Sequence, residues 1–162
     1  MTTGTKVLIA YSSASGVTRR VARDLAEVVD ADLYEITPRE QYTSADLDWT
    51  DKLARSTVET DDASARPGIV GRVKDMDTYA TVFVGYPIWW YTAPRIVNTF
   101  LESYDFSEKA VMLFATSGTS GIDKSVDDLR HTYASINFVS GRLLNGSPSV
   151  QDLEKWAKGL TG

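Results

Sequence analysis

The sequence has no cysteine and a single histidine in 162 residues. Without thiols there is no route to a disulfide, an iron–sulfur cluster, thiolate-ligated zinc or a thiol nucleophile. With His131 alone, any metal site would be all-oxygen or have one nitrogen ligand, and no clustered His/Asp/Glu spacing suggests one. Long apolar runs are also missing. The N-terminal MTTGTKVLIAYSS returns to polar residues too soon for a signal peptide or a membrane span, so the expectation is a cytoplasmic protein with no membrane insertion. Positive charge is in deficit: 17 Lys and Arg against 22 Asp and Glu give a formal charge of −5. That balance disfavours nucleic acid and anionic membranes and suits docking onto basic protein surfaces.

What is present describes one compact domain over residues 1–162, since 43% hydrophobic residues in a chain of this size can bury a sufficient core without staples. Apolar, β-branched segments at 6–11, 81–86, 110–115 and 138–144, with a weaker one at 32–36, predict strands. Helical spacing predicts a helix over 18–29, with Val21, Leu25 and Val28 on one face. A second opens with Pro94 in its first turn, and a third covers 123–135. A fourth starts at a Ser149/Asp152 capping box and carries Leu153, Trp156 and Leu160. Nearly apolar strands alternating with helices imply an α/β fold, a doubly wound five-stranded parallel sheet with helices on both faces. Residues 37–68 break the alternation: the stretch is polar and acidic, with Leu47, Trp49, Leu53 and Val58 as packing candidates and a short helix expected near Ser44.

Ligands of such sheets bind beyond the carboxyl ends of the strands. The first such loop, Ser12-Ser13-Ala14-Ser15-Gly16-Val17-Thr18, joins hydroxyls and a glycine to a helix start, which suits an anion but equally suits a plain helix cap. It is neither a P-loop nor a GxGxxG fingerprint. The second, running from Gly85 to Pro94 as GYPIWWYTAP, concentrates aromatics that either fill the core or form a platform for a flat ligand. The third, Thr116-Ser117-Gly118-Thr119-Ser120-Gly121, offers exposed backbone polar groups or is merely a flexible turn. Together, a phosphate pocket, an aromatic wall and a polar backbone edge match a flat, phosphorylated heterocycle.

Over essentially its whole length the chain resembles the flavodoxin family. Ser13-Ala14-Ser15-Gly16-Val17-Thr18 fits that family's T/S-x-T/S-G-x-T loop, and GYPIWWYTAPR and FATSGTSG resemble one bacterial branch. The resemblance implies strand order 2-1-3-4-5 and FMN as cofactor. It implies that Ser13, Ser15 and Thr18 donate hydroxyls to the phosphate while Ala14, Gly16 and Val17 supply backbone N–H groups. Pro87, Ile88, Trp89 and Trp90 would contact the flavin ring, and Ser117, Gly118 and Thr119 would bond its pyrimidine edge. Val17 departs from the asparagine common in the family, which implies weaker cofactor binding. Arg19 and Arg20, just after the loop, are expected to face solvent. A negative protein around an uncompensated phosphate implies a lowered potential for the final one-electron reduction.

The implied function is electron transfer between redox partner proteins with basic docking surfaces. The alternative is an FMN-dependent NAD(P)H:quinone-type oxidoreductase, with Tyr42 and Trp49 bordering a substrate pocket or simply packing on the sheet edge. A third class is an interaction module without cofactor. His131, Asp61/Asp62 and Asp127/Asp128 lack the accompanying groups that acid–base catalysis needs and read as surface residues.

Overall fold

A computed structural model of the chain describes residues 6–13, 16–48, 50–89, 92–116, 121–144 and 150–161. In chain order the elements are β1 (Lys6–Tyr11), α1 (Val17–Val29), β2 (Asp32–Glu35), β3 (Thr37–Pro38), α2 (Arg55–Asp61) and β4 (Ile69–Val70). They continue with β5 (Tyr79–Pro87), α3 (Arg95–Glu102), β6 (Ala110–Thr116), α4 (Asp123–Thr132), β7 (Asn137–Leu143) and α5 (Val150–Thr161). The main sheet has five strands in the order β2-β1-β5-β6-β7, every pairing parallel. Counting only its own strands, this is the expected 2-1-3-4-5.

Strand alternation sorts the core into two layers. Leu8, Ala10, Val82, Val84 and Tyr86 point to one face, where Ile96, Val97 and Phe100 of α3 and Val126 and Leu129 of α4 cover them. Ile9, Tyr11, Phe83, Met112 and Phe114 point to the other, under Val21 and Leu25 of α1 and Leu153 of α5. Full burial of a side chain such as Leu25 contributes about 1.5–3 kcal/mol, so the two apolar stripes hold the helices on the sheet. Trp156 of α5 adds an edge-on contact with Phe83, ring centroids 5.5 Å apart.

Three expectations are corrected. The helix expected near Ser44 is a set of turns instead. Thr43 and Asp46 exchange side-chain bonds with each other's backbone N–H, at 2.9 and 3.2 Å, offering the backbone an alternative to helix. The helix of this stretch is α2, and an unanticipated antiparallel ribbon, β3 with β4, closes the base of the excursion. Pro94 is the N-cap of α3 rather than part of its first turn: its ψ of 147° is extended. Finally, α4 stops at Thr132, which leaves Tyr133 past the helix end, bonded to Glu102 and Asn98 of α3.

Burial also sets the response to alkali. The phenols of Tyr34, Tyr79 and Tyr133 are pushed up to about 12, first by burial; Asp32 adds to the effect at Tyr79 and Glu102 at Tyr133. Burial raises Tyr42 and Tyr86 as well. A raised phenol pKa means that the unfolded chain, with tyrosines near about 10, loses protons first. The contribution is therefore complete below that pH and is lost as pH climbs from there through about 12. Denaturant melts at stepped pH are expected to show stability falling above about pH 10, together with delayed tyrosinate absorbance in the native protein. Tyrosinate appearing at ordinary pH values without unfolding would contradict this.

Candidate functional site

The strand order reverses at β1: the chain leaves it for β2 on one side and later returns to β5 on the other. The crevice beyond the carboxyl ends of β1 and β5 is where such a sheet takes a ligand. Backbone bonds tie its rim together. Ser12 N–H donates to the Gly85 carbonyl at 2.9 Å, and Ile88 N–H donates to the Thr116 carbonyl, also at 2.9 Å. The connections leaving β1, β5 and β6 thus start at one edge of the sheet.

A cavity of about 300 Å³ lies there. The first loop and the start of α1 contribute Ser12, Ser13, Gly16 and Arg19 to its lining; Glu35, Pro38, Gln41, Tyr42 and Trp89 supply the rest. Gly16 sits at φ 93° as N-cap of α1, a left-handed conformation that L side chains disfavour. Ser13 Oγ accepts from the N–H groups of Gly16 and Arg19, at 3.1 and 3.3 Å. The serine thus does cap the helix, and among the described residues no acceptor takes its hydroxyl proton. Val17 is exposed, whereas Thr18 is buried with its hydroxyl 2.8 Å from that of Thr116, so it bridges α1 to the end of β6.

Arg19 does not simply face solvent. Its Nη2 donates to Glu35 Oε2 at 2.7 Å, and both residues of this pair line the cavity. Glu35, and to a lesser degree the Tyr11 hydroxyl, hold its pKa above the ordinary arginine value, so the charge is permanent.

After β5, Trp89 and Thr92 exchange backbone hydrogen bonds at 2.9 and 3.0 Å. Thr92 Oγ1 donates to Asp128 Oδ2 at 2.9 Å, and Lys124 pairs with the same oxygen at 2.8 Å. Asp128 is therefore an anchor for this turn and not merely a solvated surface carboxylate, as its neighbour Asp127 is. Tyr42 meets the Trp89 ring edge-on, centroids 5.2 Å apart at 74°. Arg55 stacks on the Tyr42 ring at 3.9 Å and pairs with Glu59, which accepts the Tyr42 hydroxyl. Of the loop's other described residues, Tyr86 is core, its hydroxyl donating to Ser125 Oγ at 2.9 Å, while Ser125 donates onward to the Ile122 carbonyl. Pro87 ends β5 opposite Thr116, and Ile88 packs against the core. Ala14, Ser15, Trp49, Trp90, Ser117, Gly118 and Thr119 lie outside the described residues.

An anion-ready helix start and an aromatic pair therefore share one cavity. A family profile described as flavodoxin matches residues 6–160. The chain belongs to the flavodoxin family. Crystal structures described as flavoproteins are similar to it. One, from Bacteroides uniformis, has 48% identity and TM-score 0.92, the match covering 96% of this chain and 99% of that one. Another, from Bacteroides eggerthii, has 45% identity and TM-score 0.93, covering 97% and 98%. A flavoprotein from Lactobacillus acidophilus, solved in complex with FMN, shares the fold at 22% identity and TM-score 0.71, covering 94% and 98%. No curated protein matches the chain.

Within this flavodoxin-family cavity, Arg19, Glu35, Pro38 and Gln41 were not anticipated from the sequence. The signal was there in part: β2 lies beside β1, so the last residue of β2, Glu35, falls next to the loop that follows β1.

Proposed function

We propose that the chain binds FMN in this cavity and carries electrons between protein partners. The observation that carries the reading is the single cavity shared by the Ser13–Gly16 helix start and the Tyr42–Trp89 aromatic pair. The donor set fits the group. Hydroxyl and N–H donors at a helix start suit a phosphate, and a half-buried indole backed by a phenol suits a flat ring. Ser13, Ala14, Ser15, Gly16, Val17 and Thr18 form the phosphate loop in this proposal. Pro87, Ile88, Trp89 and Trp90 border the ring, and Ser117, Gly118 and Thr119 meet its pyrimidine edge. When bound, FMN supplies the one- and two-electron chemistry. The protein's part is to seat it, limit its contact with water and present it at the rim of the sheet.

The formal charge of −5 supports docking on partners with basic surfaces. Among the described residues no helix is long and apolar enough to cross a membrane. The test uses FMN-loaded protein with a basic-surfaced flavin reductase and, separately, with NADPH and a quinone. A carrier is reduced by the reductase at a rate that falls as salt is added, and it turns over little NADPH alone. Sustained NADPH oxidation with quinone, indifferent to salt, would replace the carrier by the oxidoreductase reading.

A further inference from the structure

The phosphate loop itself contains no lysine or arginine, but the fold brings one to it. Arg19 lies in the first turn of α1 and lines the same cavity as Ser13, Gly16 and its ion-pair partner Glu35. Glu35, the last residue of β2 and also part of the cavity lining, accepts a hydrogen bond from Arg19 Nη2 at 2.7 Å. A guanidinium carries five N–H groups in a rigid fork, so a bond to one carboxylate oxygen fixes the direction of the donors that remain. Glu35 also matters by its charge. A carboxylate lining the cavity repels an incoming dianion, and a cation paired with that carboxylate offsets the repulsion.

We infer that Arg19, oriented by Glu35, is a specificity residue that supplies the positive charge for the phosphate end of the flavin and so selects FMN over its dephosphorylated form, riboflavin. The inference rests on the FMN reading above. It goes beyond it in assigning recognition of the phosphate's charge to a side chain outside the loop. In that reading the Ser13 hydroxyl and the dipole of α1 act on the phosphate without a net charge; Arg19 adds a full charge whose effect depends on ionic strength.

The experiment titrates purified apoprotein with FMN and, in parallel, with riboflavin, following quenching of flavin fluorescence. For Arg19→Gln, FMN affinity is expected to fall about tenfold or more, the size of a lost charge-assisted bond, while riboflavin affinity stays within about twofold. Added salt should erode the FMN preference of the native protein more than that of the variant. Arg19→Lys keeps the charge and loses the fork, so it should fall between the two. Glu35→Gln removes the repulsion and leaves an oxygen for Arg19, so its FMN affinity should match or exceed that of the native protein. An unchanged FMN-to-riboflavin ratio in Arg19→Gln, or equal losses for both flavins in the Arg19 and Glu35 variants, would reduce Arg19 to a structural tie and overturn the inference. If the native protein binds neither flavin, the FMN reading itself falls.

Discussion

Gly85→Ala is expected to cost about 2–3 kcal/mol of stability, the upper range for overpacking a core. Gly85 pairs with Phe114 across β5 and β6, and a Cβ built on it would stand 2.1 Å from Phe114 Cζ. The ring cannot retreat easily. Phe114 is fully buried, within the cluster that contains Ile9, Tyr11 and Met112. In a chain of this length the loss corresponds to a melting temperature lower by about 4–12 °C. Because the Gly85 carbonyl accepts from Ser12 at the start of the first loop, the damage should reach the cavity as well. Phe114→Ala alone should cost about 3–5 kcal/mol through the void it leaves. The double variant should be less destabilised than the sum of the single changes, since each relieves the other's defect. Simple additivity in denaturant melts would show that the ring and the glycine do not compete for space.

Trp89→Ala is expected to weaken FMN binding by about tenfold to a hundredfold, the value of one aromatic platform under a flat heterocycle. It should weaken riboflavin equally, because in the proposed seat the indole meets the ring, which both flavins share, whereas Ser13 and Arg19 meet the phosphate, which only FMN carries. This equal loss distinguishes it from the selective loss expected at Arg19. Folding stability should change much less, since Trp89 is only half-buried and its backbone bonds with Thr92 do not depend on the side chain. Titration of both flavins against the variant, with a melt as control, separates the two effects. Retained affinity for both flavins would remove Trp89 from the ring contact.

The contrast between what could and could not be read from the sequence has a physical basis. Strands buried on both faces are apolar at nearly every position, as in Val82-Phe83-Val84, so the core of the sheet and its order were accessible from pattern and resemblance. The Ser13 and Trp89 ends of the site were accessible because their chemistry is local to one loop each. Residues 37–68 were not, because polar side chains there bond to nearby backbone in several alternative turns, and the ribbon of Thr37–Pro38 with Ile69–Val70 joins segments too short for any periodicity. A related effect hides Arg19 from pattern reading. Its position on α1 is polar and outward by helical spacing, and only the neighbouring β2 brings Glu35 within reach to turn it toward the cavity. Asp128 was likewise read as solvated because its partner Thr92 is distant in sequence.

Whether the crevice beyond β1 and β5 seats FMN is decided by titrating apoprotein with FMN while flavin fluorescence and visible absorbance are followed. Quenching should saturate at one flavin per chain, with the protein turning yellow and its tryptophan fluorescence responding in step. Apoprotein that stays colourless and leaves flavin fluorescence unchanged at saturating concentrations would contradict the FMN reading.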